Sequence, residues 1–120
     1  MNTGVAWWDD LAAKLQQSQT GQEVLVAIGP LVMSNLDLLR EWGKDGARAV
    51  LAALNRGDMV AARRAASDAA TPEQLEAMIE ADTEWLKAYK VKVDARVKFL
   101  QDVMVKIGSV LVGSMLLPLL

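Results

Sequence analysis

The sequence predicts an all-α chain: a small helical bundle with one long C-terminal helix that ends in an apolar tail. Two observations carry this expectation. Between Thr71 and Leu117 the apolar residues recur at helical spacing, and Ile79, Leu86, Val93, Leu100 and Ile107 step by seven, which keeps them on one stripe. Upstream, short amphipathic segments are separated by helix caps, glycines and a proline, the punctuation of consecutive helices. The 120 residues are 52% hydrophobic and 23% charged, too apolar for a disordered chain.

Taken in order, the first helix is expected from about Val5 to Gln17. Trp8, Leu11, Ala12 and Leu15 form its inner face, and Asp9, Asp10, Lys14 and Gln17 its outer one. Ser18-Gln19-Thr20-Gly21 breaks the chain, with Thr20 and Glu23 in capping-box spacing. A second helix follows and is expected to kink or restart at Gly29-Pro30, because proline lacks an amide donor and crowds the preceding turn. It continues as Leu31 to Trp42. From Val24 to Met33 it has almost no polar face, the mark of a segment central in the fold or covered by a partner.

Asp45 is placed to cap a helix from Ala47 to Asn55, and Asp58, after Gly57, to cap another from Met59 to about Ala69. The string Leu54-Asn55-Arg56-Gly57-Asp58 with Ala62 resembles the turn of a tetratricopeptide repeat. No second copy follows at a period of 34, so the expectation is a generic helix-turn-helix. Thr71-Pro72-Glu73-Gln74 then supplies an N-cap, a proline at N1 and a glutamine at N3 for the long helix. Read as one helix to Leu117, it is about 65–70 Å long at roughly 1.5 Å per residue. That exceeds the core of so small a domain, and its far end is expected to serve another molecule or a bilayer. The division is therefore a bundle domain over 1–106, including most of the long helix, and an apolar tail over 107–120.

Composition excludes much chemistry. There is no cysteine and no histidine, which removes disulfides, thiolate metal sites and the commonest general base and transition-metal ligand. The net charge is −2, against a nucleic-acid partner. The first residues carry no basic segment and no long apolar run, so the chain is expected in the cytoplasm at synthesis. Glu73, Glu76, Glu80 and Glu84 share one helical face and are read as a solvated face rather than a Mg²⁺ or Ca²⁺ site. Asp82 and Arg96 fall on the apolar stripe, where a polar residue sets register or enters a buried ion pair. The expectation is a protein that is not an enzyme and has no cofactor and no metal.

Two groups of residues remain as interaction candidates. Trp7, Trp8, Ile107, Ser109, Val110, Gly113, Leu116 and Leu117 are read as assembly contacts, because tryptophans anchor interfaces and Ser109 with Gly113 makes a small-xxx-small helix contact. Lys87, Lys90, Lys92, Arg96 and Lys98 precede the uncharged tail and could meet anionic lipid or an acidic partner. The tail's 14 residues span about 21 Å as helix against roughly 30 Å of hydrocarbon. The first functional reading is a structural protein that homo-oligomerises through its long helix within a larger particle, by analogy with phage virion or secretion-apparatus parts. The alternatives are a membrane-active, tail-anchored, holin- or pore-like protein, and an adaptor or cargo protein read through its apolar C-terminal peptide. Beyond the cytoplasm, these readings allow association with a membrane or incorporation into a virion.

Overall fold

The computed structural model describes residues 3–67, 73, 76–77, 80 and 84–120, the side chains of Trp85 and Leu86 excepted. The fold is all-α, and among the described residues there is no strand. Helix α1 spans Ala6–Leu15, α2 Gln19–Met33, α3 Leu36–Arg40, α4 Lys44–Asn55 and α5 Met59–Ala66. The long helix α6 runs Glu84–Ile107 and α7 covers Ser109–Leu119, with a π-helical turn at Val112–Leu116. The cap residues Thr71, Pro72 and Gln74, the Ala69 end of the preceding helix, the Ile79 end of the stripe and Asp82 fall outside the described residues.

The inner face of α1 is the one the pattern predicts: Trp8, Leu11, Ala12 and Leu15 are all buried. The α1–α2 corner is tighter than a capping box on Thr20. Ser18 is the N-cap, its side chain accepting from the Gly21 N–H at 2.9 Å. Gly21 is itself required. A Cβ there would lie 2.0 Å from the Leu15 carbonyl oxygen, so only glycine lets α2 leave so close to the end of α1.

Pro30 does not break α2 as expected. Val24, Ile28 and Val32 stay on one buried stripe through it, while Val26 and Pro30 lie on the exposed side. The amide bond that proline removes therefore falls where water can replace it. The break comes later, at Ser34 and Asn35, where the Asn35 side-chain amide donates to the Leu31 carbonyl at 2.8 Å. Helix α4 starts at Lys44, and its N-cap position is Gly43, with Asp45 inside the first turn rather than capping it. Asp58 does cap α5, accepting from the Ala61 N–H at 3.0 Å. Gly57 before it takes φ +74°.

Helix α6 threads the bundle. Its buried side is Val93, Arg96, Val97, Phe99, Leu100 and Val103. It packs on α2, α4 and α5. Helix α5 lies antiparallel to it, since Met59 meets Gln101 at one end while Ser67 accepts from the Tyr89 hydroxyl at the other.

The tail corrects the largest expectation. It does not project from the bundle. The chain turns at Gly108, φ +84°, and α7 folds back at 107° to α6. Val112, Leu116 and Leu120 enter the same core as Trp8, Leu51 and Leu100. Lys14 of α1 donates to the Leu119 carbonyl at 3.2 Å, a cation at a helix C-terminus, where the dipole favours it. The 107–120 segment is thus built into the core, and it is short enough to be hidden because one residue reverses its direction. Leu116→Ala should lower stability by about 2–5 kcal/mol, the usual cost of emptying a buried leucine site, measured by urea denaturation. A loss below about 0.5 kcal/mol, the scale of surface changes, would show that the tail is not part of the fold.

Candidate functional site

The assembly candidates divide between core and surface. Trp8 and Leu116 are buried in the chain's own core, so neither is displayed to a partner. Trp7 is half-buried, and its indole N–H donates to the Trp42 carbonyl at 3.2 Å. Ile107 and Leu117 pack partly against the core. Gly113 fits against α4, where an added Cβ would come within 3.1 Å of the Asn55 side chain. Ser109 and Val110 remain exposed at the elbow.

The basic run does not form one surface either. Lys87 and Lys90 are exposed. Lys92 pairs with Glu41 at 2.9 Å, which holds the Glu41 carboxyl below its usual 4.5, chiefly through that hydrogen bond and the ammonium charge. Lys98 pairs with Asp102 at 3.3 Å, and Asp94 pairs with Arg63 of α5. Arg96 is buried. Its guanidinium donates to the Ala66 carbonyl at 2.8 Å and lies 5.5 Å from the centre of the Trp42 ring. The periodicity that puts Val93 and Val97 inside carries Arg96 with them, so it is withdrawn from any lipid-facing patch.

What the surface does offer is the outward side of α6. Ala88, Val91, Ala95, Lys98, Asp102 and Val105 follow one another by alternating steps of three and four, the a/d register of a helix-pairing seam. All but the half-buried Asp102 are exposed, with Val91 at 68% and Val105 at 84% of full exposure. Single exposed valines mean little, but a stripe in register is a continuous apolar edge interrupted by one ion pair. Small Ala88 and Ala95 leave room for a second backbone to approach. Met59 and Val60 of α5 and Val110 at the elbow add exposed apolar surface. A second strip runs along α2, where Val26, Pro30 and Met33 are exposed at i, i+4 and i+7. The outer half of the apolar Val24–Met33 segment is thus bare while its inner half is core. The α6 seam was legible in the sequence by counting heptads on the outward face as well as the inward one.

Among the described residues no group of three or more His, Cys, Asp or Glu is placed to hold a metal ion. Glu73, Glu76, Glu80 and Glu84 are exposed helical residues. Among the described residues no single helix is long and apolar enough to cross a membrane. Lys87–Ile107 and α7 would be so only together, across their bend. No family model, no curated protein and no solved structure matches the chain.

Two tests separate a core role from a surface role for these charges. Arg96→Ala should cost about 2–4 kcal/mol in urea unfolding, from the charged hydrogen bond and the ring contact; a neutral effect would return Arg96 to the surface. For Glu41, folding depresses the carboxyl pKa. Its contribution is therefore present above the usual carboxylate range and lost as pH falls through the lowered value. The Tm of the wild-type protein should exceed that of Glu41→Gln at neutral pH by a small margin that closes below pH 4.5. A margin independent of pH would show that the pair contributes nothing.

Proposed function

We propose that this chain is a non-enzymatic structural subunit that self-associates through its long C-terminal helix, within a larger protein assembly. The carrying observation is the outward seam of α6, an apolar edge in helix-pairing register on a helix whose other face already fills the core. An apolar edge of this kind gains by burial against another protein surface, and a second copy presents the same edge. The Lys98–Asp102 pair within the seam can set register between copies, as polar residues do in such interfaces.

A membrane-active reading is second. It is favoured by the bent pair α6–α7, which has the length and composition of a broken span. The tail's burial makes it a reading about a rearranged form rather than the folded chain. A C-terminal-peptide reading has less support, because Leu116 and Leu120 are buried.

Light scattering at tens of micromolar, without detergent, should give a mass above the 13.0 kDa of one chain. Val91→Glu with Val105→Glu should return it to the monomer value, with the helical circular-dichroism signal unchanged. A wild-type protein at 13.0 kDa would refute self-association. An oligomer untouched by the double change would refute the seam.

A further inference from the structure

The joint between α6 and α7 is one residue long. Ile107 closes α6, Ser109 opens α7, and Gly108 stands between them. Helical bonding continues on both sides: the Gly108 N–H donates to the Met104 carbonyl at 2.7 Å, and the Val112 N–H donates to the Gly108 carbonyl at 3.2 Å. An added Cβ at Gly108 would meet nothing within 4 Å, so the space beside the bend is open. Glycine takes positive and negative φ about equally readily. Rotation at Gly108 alone therefore joins α6 and α7 into one helix.

In that helix Val105, Val112 and Leu116 fall at i, i+7 and i+11, one stripe. The bend divides the stripe, leaving Val105 in solvent and Val112 and Leu116 in the core. A lone straightened chain exposes Val112, Leu116 and Leu120 and empties the groove they fill, so it returns to the bent form. Two straightened chains need not. Each can seat its tail in the other's groove and remake the bent chain's contacts, including the Lys14–Leu119 hydrogen bond and the fit of Gly113 against Asn55. Val105 is then covered too, because it adjoins the seated tail on the same stripe.

We propose that α7 is an exchangeable arm, and that the groove beneath it, formed by α1, α4 and α6, takes the α7 of a second copy. The proposal rests on the self-association reading and names the segment that passes between copies. It returns Gly113, Leu116 and Leu117 to the interface, as contacts made across chains with the partners they have within one.

The chain has no cysteine, so a disulfide can report on which chain the tail lies. A Cβ at Gly113 falls 3.7 Å from the Asn55 side-chain carbon. Asn55→Cys and Gly113→Cys are made in separate full-length chains, mixed in denaturant, refolded together and oxidised. Exchange gives a linked dimer at twice the 13.0 kDa chain mass, absent from either variant alone. No linked dimer from the mixture, with a chain carrying both substitutions closing its own disulfide as a monomer, overturns the proposal.

Gly108→Ala gives an independent readout. Side chains other than hydrogen are strained at the +84° φ of this residue, so alanine favours the straight helix. The dimer-to-monomer ratio at fixed concentration should rise roughly fivefold or more. An unchanged ratio counts against exchange. So does a Gly108→Ala monomer that instead floats with liposomes of anionic phospholipid, which would favour membrane insertion. A wild-type oligomer that yields no linked dimer removes exchange alone; a monomer in both forms removes self-association with it.

Discussion

An uncharged, leucine-rich chain end has to be covered by something, and this chain covers it by reversing direction at a single glycine. Gly108 holds the left-handed conformation that other residues adopt only with strain. Everything on the α1–α4 side of the bundle follows from that reversal. Val112, Leu116 and Leu120 close the core, Lys14 meets the last turn, and Gly113 lies against α4, where an added Cβ would come within 3.1 Å of the Asn55 side chain. Burying three aliphatic side chains is worth about 1.5–3 kcal/mol each, a large share of the 5–15 kcal/mol typical of a whole domain. The tail is therefore one of the principal holders of the fold.

The second constraint is the register of α6 against the rest. It is fixed along one edge by polar contacts to α5 and to the residue that follows it: Tyr89 to the Ser67 carbonyl, Asp94 to Arg63, and Arg96 to the Ala66 carbonyl. Arg96 extends the linkage to a further segment by lying against the Trp42 ring, and the Trp42 carbonyl in turn receives the Trp7 indole. A cation in a core is expensive unless it is satisfied. These partners are what a sliding or rotated α6 would lose, so the charge specifies one arrangement while the apolar stripe alone would tolerate several. The same rotation that turns Arg96 inward turns Val91 and Val105 outward.

Local signals read well from the sequence, and directions did not. The inner face of α1 and the Gly57–Asp58 stop-and-cap are local chemistry, visible as residue types at fixed offsets. The α1–α2 cap lies two residues before the expected one because Ser18 and Thr20 are equally good caps, and only the close approach of Gly21 to Leu15 selects between them. Pro30 signals a break in the sequence yet makes none, because the cost of its missing donor depends on whether water reaches the orphaned carbonyl, a tertiary fact. The tail's direction was not legible at all. A glycine between two helical runs fits a straight helix and a reversal equally well, and the choice is made by the shape of the groove that receives α7. The outward seam was legible but obscured, since the inward residues of α6 also step by seven.

That fit bears on which partner the straightened form would serve. A bilayer asks of a segment only length and apolarity, and is indifferent to a small residue at one position. The tail is more particular. Gly113 sits where even one added carbon would crowd Asn55, and a backbone carbonyl near its end is matched to Lys14. These are features of a segment shaped for one protein groove, and every copy of the chain carries that groove. Lipid could reward the leucines of α7, but it could reward neither the glycine nor the hydrogen bond. The specific part of the tail's design is thus matched to a groove of protein, the one its own chain supplies in the structure, and the exchange proposed above would use that same fit between copies.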